Sequence, residues 1–316
     1  MAVYTPVSAE LLAAFLARYD VGELVSSKGI AEGVENTNYL VDTTTDRFIL
    51  TLYEKRVEGG DLPYFMDLLD HLAASGNPVP PAIKDRDGTA IQMLEGRPAC
   101  LIQFLPGVSV THPTPAQAFA AGQAMGRMHA ALADFTRERP NSMGVATWQP
   151  LLEHCGADLD SIAPGLHAEA SAMLDTVLRD WPSDLPTATI HADLFPDNVL
   201  MRGDQVSGLI DFYFACTDIR AFDVAILHSA WSFDAEGRSV DRAVGAALID
   251  GYDASFGLSD AERGQLSTLA KGACLRFFLS RAWDWLNTPA DALVTRKDPL
   301  AYLRRFQTYG TDDLFP

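Results

Sequence analysis

The sequence predicts an α+β fold in two lobes: a small N-terminal lobe with an antiparallel β-sheet and helices, then a larger, mainly α-helical lobe. Segments rich in β-branched and aromatic residues occur mostly before position 106, and helical periodicity dominates after it. Pro106-Gly107 separates the two patterns. A chain of 316 residues also has room for two domains of ~150 residues. We therefore expect one lobe over residues 1–105 and a second over residues 106–316.

The first lobe is predicted to combine two helices with two hairpins. Apolar residues at helical spacing indicate the helices, and polar turns between β-rich runs indicate the hairpins. In chain order, the predicted elements are a helix capped by Ser8, a hairpin of 38–41 and 47–53, a helix from about Asp61, and a hairpin of 90–94 and 99–105.

The second lobe is predicted to be helical except for one short β-rich stretch. Helical periodicity begins at Pro115 and returns near 167–180, 239–256, 259–287 and 298–307. The exception runs from Ala188 to Phe214, where two apolar runs flank Arg-Gly-Asp-Gln and predict a hairpin.

Composition and charge favour a globular protein that acts on a small molecule. The chain is 48% hydrophobic and 21% charged, with 24 Lys and Arg against 42 Asp and Glu, a net charge of −18. Such an acidic surface repels nucleic acids and anionic membranes, so we expect neither as a partner. The four cysteines are widely spaced, and no signal peptide or transmembrane segment is evident. We expect a cytoplasmic protein, either a monomer or a homodimer.

The short β-rich stretch also carries the residues most suited to chemistry. Asn198 lies at the entry of the predicted hairpin and Asp211 at its exit, so the two side chains should lie side by side. An amide beside a carboxylate suits Mg²⁺. Asp193, on the loop leading into the hairpin, is placed to face a reacting hydroxyl. One base and two metal ligands are the parts that phosphoryl transfer requires.

The spacing His-x-Asp-x₄-Asn, followed by a strand that ends in Asp, resembles the catalytic and metal loops of protein-kinase-like enzymes. The forms HAD at 191–193 and DFY at 211–213 resemble the aminoglycoside phosphotransferase and choline kinase branch. Four longer strings resemble bacterial homoserine kinases of this fold: HADLFPDNVLMRGDQVSGLIDFYFACTD, EGVENTNYLV, FILTLYEKR and DWLNTPADALVTRKDPL. The resemblance covers the whole chain and implies a bilobal protein-kinase-like fold. It also implies transfer of phosphate from ATP, with Mg²⁺, to L-homoserine, a step toward threonine.

The resemblance implies roles for individual residues. Asp193 would accept or orient the proton of the substrate hydroxyl, and Asn198 and Asp211 would bind Mg²⁺. We expect His191 to brace the loop through a backbone hydrogen bond. We expect Asp223 to cap a helix start and to anchor the catalytic loop from there.

The resemblance also suggests how the first lobe would bind the nucleotide. The loop over residues 29–41 lies where kinases cover the phosphates. From it the candidates are Gly33, Asn36, Thr37 and Asn38. Main-chain groups of the stretch from Gln103 to Leu105 would bind adenine.

The chain departs from the kinase pattern at one position. Kinases of this superfamily carry a basic residue in the third strand, paired with Glu in the next helix, whereas this sequence aligns Thr51 and Phe65 there. What contacts the α- and β-phosphates is left open, with Lys55 and Arg56 as nearby candidates.

The substrate pocket should contain an acid and a base, because homoserine carries an ammonium group and a carboxylate. Asp218 or Asp284 is a candidate for the ammonium, and Arg276 or Arg281 for the carboxylate. Ion pairs inside the helical lobe are the alternative for each. Tyr213 follows the metal-binding Asp and is a further candidate. At Ser229 the family commonly has Asn, which would shift specificity if this position touches substrate.

Three other functions stay open at this point. His191, Asp193 and His228 could form a non-haem iron site of two histidines and one carboxylate, although the helical pattern that follows does not fit such folds. The Thr51 departure would suit a non-catalytic nucleotide-binding module. A kinase could also act on another amino alcohol, such as choline, hydroxylysine or an aminoglycoside.

Overall fold

The computed structural model describes residues 4–30, 36–54, 59–288 and 296–315. The chain divides into two compact units, Met1–Pro106 and Gly107–Pro316, called unit 1 and unit 2 below. The α+β class expected from the sequence is confirmed, with the larger sheet in unit 1 and most helices in unit 2.

Unit 1 contains an antiparallel sheet and two helices among its described residues. Its elements are α1 Ala9–Leu16, β1 Leu24–Gly29, β2 Thr37–Thr43, β3 Arg47–Leu52, α2 Leu62–Ala74, β4 Ala82–Ile83, β5 Ile91–Leu94 and β6 Arg97–Gln103. The strand order is β1-β2-β3-β6-β4, and β5 pairs with β6. Both predicted hairpins are present, as β2 with β3 and β5 with β6.

The core of unit 1 forms where α1 packs its apolar stripe against one face of the sheet. Ser8 caps α1 by accepting a hydrogen bond from the Leu11 N–H, as expected. Leu12 and Phe15 of α1 pack with Val41 and Leu50 of the sheet, and all four are almost fully buried. Strand β1 was not predicted, because its side chains are mostly exposed and show no apolar alternation.

Unit 2 is mainly helical. Its helices are α3 Pro115–Ala131, α4 Val145–Cys155, α5 Leu166–Asp180, α6 Arg220–Trp231, α7 Arg242–Asp253, α8 Asp260–Arg263, α9 Leu266–Asn287 and α10 Leu300–Thr311. Its strands are β7 Thr187–Ile190, β8 Val199–Arg202, β9 Gln205–Leu209 and β10 Cys216–Ile219. Strand β7 pairs with β10, and β8 forms the predicted hairpin with β9.

The helix predictions need two corrections. The stretch 259–287 is two helices, α8 and α9, because the chain turns at Gly264-Gln265. Helix α4 was not predicted as a separate element. It begins after Gly144 without a side-chain cap and contains Pro150, and both features usually mark breaks rather than helices.

The interior of unit 2 is built around α6 and α9. Eleven of the twelve residues of α6 are buried, as are the residues of α9 that pack against it. All four cysteines are buried and unpaired. No helix in the described part of the chain is both long enough and apolar enough to cross a membrane.

Candidate active site

The catalytic candidate Asp193 lies just beyond the end of β7. The chain leaves this strand at Ile190 and passes through His191 and Ala192 before it reaches Asp193. Ala192 has a φ of 63°, in the left-handed region that an alanine rarely adopts. Such a conformation costs ~1–3 kcal/mol and persists only where surrounding groups hold it.

The Asp223 side chain, on α6, binds the main chain of this loop. Its carboxylate accepts hydrogen bonds from two consecutive main-chain N–H groups, those of His191 and Ala192, each at 2.8 Å. The side chain is fully buried. Asp223 therefore contacts the loop as expected, but it does not cap its own helix: the N-cap position is Ile219, and no side chain caps it.

His129, on α3, bonds to Asp223 and so helps to hold the loop. The sequence did not predict this role. Its Nε2 lies 3.0 Å from Asp223 Oδ2, and its Nδ1 lies 3.0 Å from the Tyr252 hydroxyl. Burial alone would raise the pKa of Asp223, but the His129 hydrogen bond and the nearby His191 hold that pKa below its ordinary value. The only sequence signal was a histidine on an otherwise apolar face of α3.

His191 ties the loop to the end of the β8–β9 hairpin. Its Nε2 lies 3.0 Å from the Ile210 carbonyl oxygen, and its Nδ1 accepts a hydrogen bond from the Asp193 N–H at 3.3 Å. Burial lowers the pKa of His191, so the ring is neutral, with its proton on Nε2. This geometry uses both ring nitrogens within the loop.

The hairpin brings Asn198 and Asp211 together. Val199 pairs with Leu209, and the Ile210 N–H donates to the Asn198 carbonyl at 3.0 Å, so the two ends of the hairpin are neighbours. Asn198 donates from Nδ2 to the Asp193 main-chain carbonyl at 2.8 Å and lies 3.4 Å from Asp193 Oδ2. Asp211 is exposed and has a φ of 64°.

The donor set at the hairpin fits Mg²⁺. Because the Asn198 amide nitrogen donates to the Asp193 carbonyl, the Asn198 amide oxygen is the atom that remains to bind a cation. The exposed Asp211 adds a carboxylate. Within the described ranges, no three His, Cys, Asp or Glu side chains gather into a metal-binding group. Two oxygen ligands suit an ion that takes its remaining ligands from phosphate and water.

The surroundings of Asp193 shift the pKa of its carboxyl strongly. Its side chain is only 19% exposed, and Arg276 Nη2 lies 3.9 Å from its Oδ1. Burial raises the pKa of Asp193 to about 8; the Arg276 guanidinium opposes this rise, while the carboxylates of Asp211 and Asp197 add to it. A carboxylate with such a pKa is a stronger proton acceptor than an ordinary one.

Arg276 lies beside the loop. It donates from Nη1 to the Ala192 carbonyl, and its guanidinium packs over the rings of Phe214 and Phe277, 5.5 Å and 4.4 Å from their centroids. The residue is only 2% exposed. Its contacts therefore fix the left-handed Ala192 and the adjacent Asp193.

The other candidates for the substrate pocket are dispersed. Asp218, on β10 opposite Ala188, accepts from Asn141 Nδ2 at 2.6 Å and from the Ile219 N–H at 2.7 Å, so both its oxygens are engaged. Tyr213 is partly buried in the turn after Asp211. Arg281 and Asp284, both partly buried, follow Arg276 along α9.

Ser229 is not placed to read a substrate. It is fully buried, and its hydroxyl donates to the Ile226 carbonyl inside α6 at 2.9 Å. Trp231 is buried in the core, and its Nε1 donates to the Leu194 carbonyl at 3.1 Å, one residue beyond Asp193. His228 lies on the same helix and bonds to the Tyr309 hydroxyl at 2.6 Å.

In unit 1, the polar side chains at the start of β2 are engaged within the unit. The Thr37 hydroxyl donates to Glu54 Oε1 at 2.7 Å and accepts from the main-chain N–H groups of Tyr4 and Thr5. Asn36 Oδ1 accepts from the Glu54 N–H at 3.4 Å. Thr37 is fully buried, so its hydroxyl holds the N-terminal segment against the sheet.

At the departure from the kinase pattern, Thr51 donates to Asn38 Oδ1 at 2.8 Å across the β2–β3 pair. Thr51 is 3% exposed and Phe65, on α2, is 1% exposed. Both positions thus belong to the core of unit 1. The remaining phosphate candidates, Gly33, Lys55 and Arg56, lie outside the described residues.

The adenine candidates lie where β6 ends. Gln103 is exposed, and its N–H donates to the Pro81 carbonyl at 3.1 Å. Leu105 lies two residues beyond the strand, and within the described residues its main-chain N–H and C=O have no hydrogen-bond partner.

Comparison with known proteins is consistent with this site. A model of the phosphotransferase enzyme family matches residues 26–258. A homoserine kinase of Gluconobacter oxydans (strain 621H) is 51% identical over 311 residues, covering 98% of both chains. A homoserine kinase of Zymomonas mobilis is 52% identical over 312 residues, covering 98% of this chain and 97% of that one.

Solved structures show the same fold at low identity. A spectinomycin phosphotransferase in complex with ADP and spectinomycin superposes with a TM-score of 0.70 at 14% identity, over 98% of this chain and 97% of that one. An amicoumacin kinase gives a TM-score of 0.71 at 16% identity, over 98% and 96%. The expected protein-kinase-like fold is therefore confirmed. The chain belongs to the phosphotransferase enzyme family and groups within it with the homoserine kinases.

Proposed function

We propose that this protein transfers the γ-phosphoryl group of ATP to the side-chain hydroxyl of L-homoserine, giving O-phospho-L-homoserine and ADP. The observation that carries the proposal is the grouping of Asp193, Asn198 and Asp211 at one end of the β8–β9 hairpin. The names of relatives half identical over nearly the whole chain support homoserine as the acceptor.

Asp193 orients the attacking hydroxyl and accepts its proton. Burial raises the pKa of this carboxyl to about 8, so its ionised form has a higher proton affinity than that of an ordinary aspartate. The Asn198 amide and the His191 ring hold its main chain, so the carboxylate is oriented before the substrate arrives. Such preorganisation lowers the activation free energy, because no reorientation is needed during the reaction.

Asn198 and Asp211 would hold Mg²⁺ through one amide oxygen and one carboxylate. When bound there, the ion neutralises charge on the phosphate oxygens of ATP. The hairpin fixes the separation of these two side chains, since Val199 and Leu209 pair directly. His191 fixes the start of the Asp211 turn through the Ile210 carbonyl.

The nucleotide roles in unit 1 are also part of the proposal. Leu105 offers an N–H donor and a carbonyl acceptor, the pair of groups that an adenine edge requires. Among the described residues, the amide oxygens of Asn36 and Asn38 accept hydrogen bonds and their amide nitrogens donate none, which leaves the nitrogens for phosphate oxygens. Thr37 is not proposed as a phosphate contact, since its buried hydroxyl donates to Glu54 within unit 1.

The test is an ADP-release assay with Mg²⁺–ATP and a panel of acceptors: L-homoserine, choline, hydroxylysine and an aminoglycoside. We expect turnover with L-homoserine, with kcat/KM at least ~10²-fold above choline and the aminoglycoside, because a site that binds the α-carboxylate rejects acceptors without it. The reaction should stop when EDTA removes the metal and resume when Mg²⁺ is restored.

Other results would replace the proposal. Preferred turnover of choline or an aminoglycoside would assign the site to another amino alcohol. ATP binding without turnover of any acceptor would indicate the non-catalytic alternative.

A further inference from the structure

Three arginines of α9 and α10 are buried or partly buried, and two of them are enclosed and donate to main-chain carbonyls. Arg276 is 2% exposed and donates to the Ala192 carbonyl beside Asp193. Arg305 is 4% exposed and donates to the carbonyls of Ser229 and Asp234, at 2.9 Å and 2.8 Å. Neither guanidinium is accessible to a substrate.

Arg281 differs from the other two arginines. It is partly buried but not closed off from solvent, and its hydrogen bond goes to the Asp298 main-chain carbonyl at 3.3 Å. In the described part of the chain, no carboxylate oxygen lies within 4.0 Å of this guanidinium. A guanidinium that is partly shielded from water and makes one hydrogen bond keeps its other N–H donors available for a carboxylate ligand.

The position of Arg281 is fixed by an aromatic platform that continues to the catalytic loop. Its guanidinium lies over the Tyr302 ring, 4.5 Å from the centroid. Tyr302 packs against Phe277, with ring centroids 5.1 Å apart, and Phe277 packs against Phe195 at 4.8 Å. Phe195 is two residues after Asp193, so Arg281 lies on the side of α9 that faces the loop.

Two acidic residues close in sequence to residues of this platform have other basic partners. Asp197 Oδ2 lies 4.0 Å from Lys297 Nζ, and Asp298 Oδ2 lies 3.3 Å from Arg304 Nη2. Neither carboxylate forms an ion pair with Arg281, although Asp298 is close enough to oppose the lowering of its guanidinium pKa by burial. The protein thus places a fixed cation beside the loop and leaves it for an external anion.

We infer that Arg281 binds the α-carboxylate of the amino-acid substrate; the inference rests on the proposed function and identifies how that site distinguishes an amino acid from a simple amino alcohol. A guanidinium presents two parallel N–H donors that match a carboxylate. Because Tyr302 holds its plane, little side-chain entropy is lost on binding. Arg276 is excluded from this role by its burial and its bond to the Ala192 carbonyl.

The test compares two acceptors that differ only at the carboxylate. 3-Amino-1-propanol is L-homoserine with hydrogen in place of the α-carboxylate. The variants Arg281→Gln and Arg281→Lys are assayed with both acceptors. Arg179→Gln serves as a matched control, because it removes a guanidinium paired with Asp180 on the exposed surface of α5.

We expect Arg281→Gln to lower kcat/KM for L-homoserine by about 10- to 100-fold, mainly through KM, the range for a lost hydrogen bond to a charged group. Turnover of 3-amino-1-propanol should change less than about twofold, because that acceptor has no group for Arg281 to bind. The kcat/KM of Arg281→Lys for L-homoserine should lie between those of the wild type and Arg281→Gln, since a lysine keeps the charge but not the paired donors. Arg179→Gln should behave as the wild type with both acceptors.

Two results would overturn the inference. An equal loss with both acceptors would give Arg281 a structural role, and an unchanged kcat/KM with both acceptors would remove it from the pocket. A wild-type protein that fails to phosphorylate L-homoserine would instead refute the proposed function, and the inference would fall with it.

Discussion

Asp193 depends on side chains that are distant from it in the sequence. The left-handed Ala192 directs the chain toward the hairpin, and Asp223 binds the two N–H groups that precede Asp193. His129 orients Asp223 from α3, and Arg276 binds the Ala192 carbonyl from α9. Groups from three helices therefore offset the strain of one alanine and hold the reacting carboxylate in place.

Arg276 should act as a positioning residue. We expect Arg276→Gln to lower kcat at least ~10-fold with L-homoserine and with 3-amino-1-propanol alike, because the Ala192 carbonyl loses a charged donor worth about 1.5–3 kcal/mol. Steady-state kinetics with both acceptors measure this, and circular dichroism checks that the variant is folded. A rise in KM for L-homoserine alone would contradict the assignment, because that pattern belongs to a carboxylate-binding residue.

Residue spacing predicted the positions of Asp193, Asn198 and Asp211 because a hairpin fixes which residues meet. The same reasoning could not decide between Arg276 and Arg281. They are five residues apart on α9, and only the packing of Phe214 and Phe277 over Arg276 shows which guanidinium is enclosed.

Thr37 is a residue for which the sequence pattern and the observed contacts differ. A Thr between two Asn in a loop suggests phosphate contacts, yet its hydroxyl binds Glu54 and two N–H groups of the N-terminal segment. Those partners lie 17, 33 and 32 residues away in the sequence, so no local pattern reveals them.

At the scale of elements, α3 and α7 pack unusually closely because each presents glycine to the other. A Cβ added at Gly122 of α3 would lie 2.0 Å from the Leu248 carbonyl oxygen of α7. A Cβ added at Gly251 of α7 would lie 2.0 Å from the Phe119 carbonyl oxygen of α3. The α3–α7 contact therefore positions α3, which carries His129, the partner of Asp223.

Replacing Gly251 with alanine should therefore destabilise the protein. Alanine favours a helix by ~1 kcal/mol over glycine, but overpacking against a helix backbone costs about 1–3 kcal/mol. We expect Gly251→Ala to lower the free energy of unfolding, measured by urea denaturation.

Gly310 of α10 provides the matched control. Nothing lies within 4 Å of a Cβ added there, so Gly310→Ala should leave the free energy of unfolding unchanged or raise it by up to ~1 kcal/mol. An equal response of the two variants would show that the α3–α7 contact is not tight.

Sequence patterns predicted most elements where apolar periodicity was regular, and failed where it was not. Helix α4 includes Pro150 and follows Gly144, and β1 is mostly exposed. In both cases tertiary contacts, rather than local propensity, decide the structure, and a single sequence does not display those contacts.

At the scale of the whole molecule, the order of the elements was enough to predict the fold class. Strand-rich sequence precedes helix-rich sequence, and the change falls at Pro106-Gly107, where the chain divides into its two units. The packing inside unit 2 adds a property that the order does not show: it buries ionisable groups, which link its stability to pH.

His228 should make unfolding sensitive to mild acid. Burial lowers its pKa to about 3, whereas an unfolded histidine titrates near its ordinary value of 6.5. Between these two values His228 binds more protons in the unfolded chain, so its contribution to the free energy of unfolding falls as pH falls. From pH 7 to pH 5.5 the contribution of His228 is about 1 kcal/mol.

The variant His228→Gln isolates this contribution. His191 also has a lowered pKa and acts in the same direction, whereas the raised pKa of Asp193 acts in the opposite direction, so the variant should remove only the contribution of His228. Urea unfolding at pH 7 and pH 5.5 gives the difference between the two proteins. Identical pH dependence in the wild type and the variant would show that His228 titrates normally in the folded state.

The central claim is that Asp193 directs phosphoryl transfer to L-homoserine, and the most direct test is single-site replacement. ADP release with L-homoserine is measured for the wild type and Asp193→Asn, together with the Kd for Mg²⁺–ATP. We predict that kcat falls ~10²-fold or more while the Kd changes by less than about threefold, because the lost carboxylate acts on the hydroxyl and not on the nucleotide. Turnover by Asp193→Asn within a few-fold of the wild type would contradict the account.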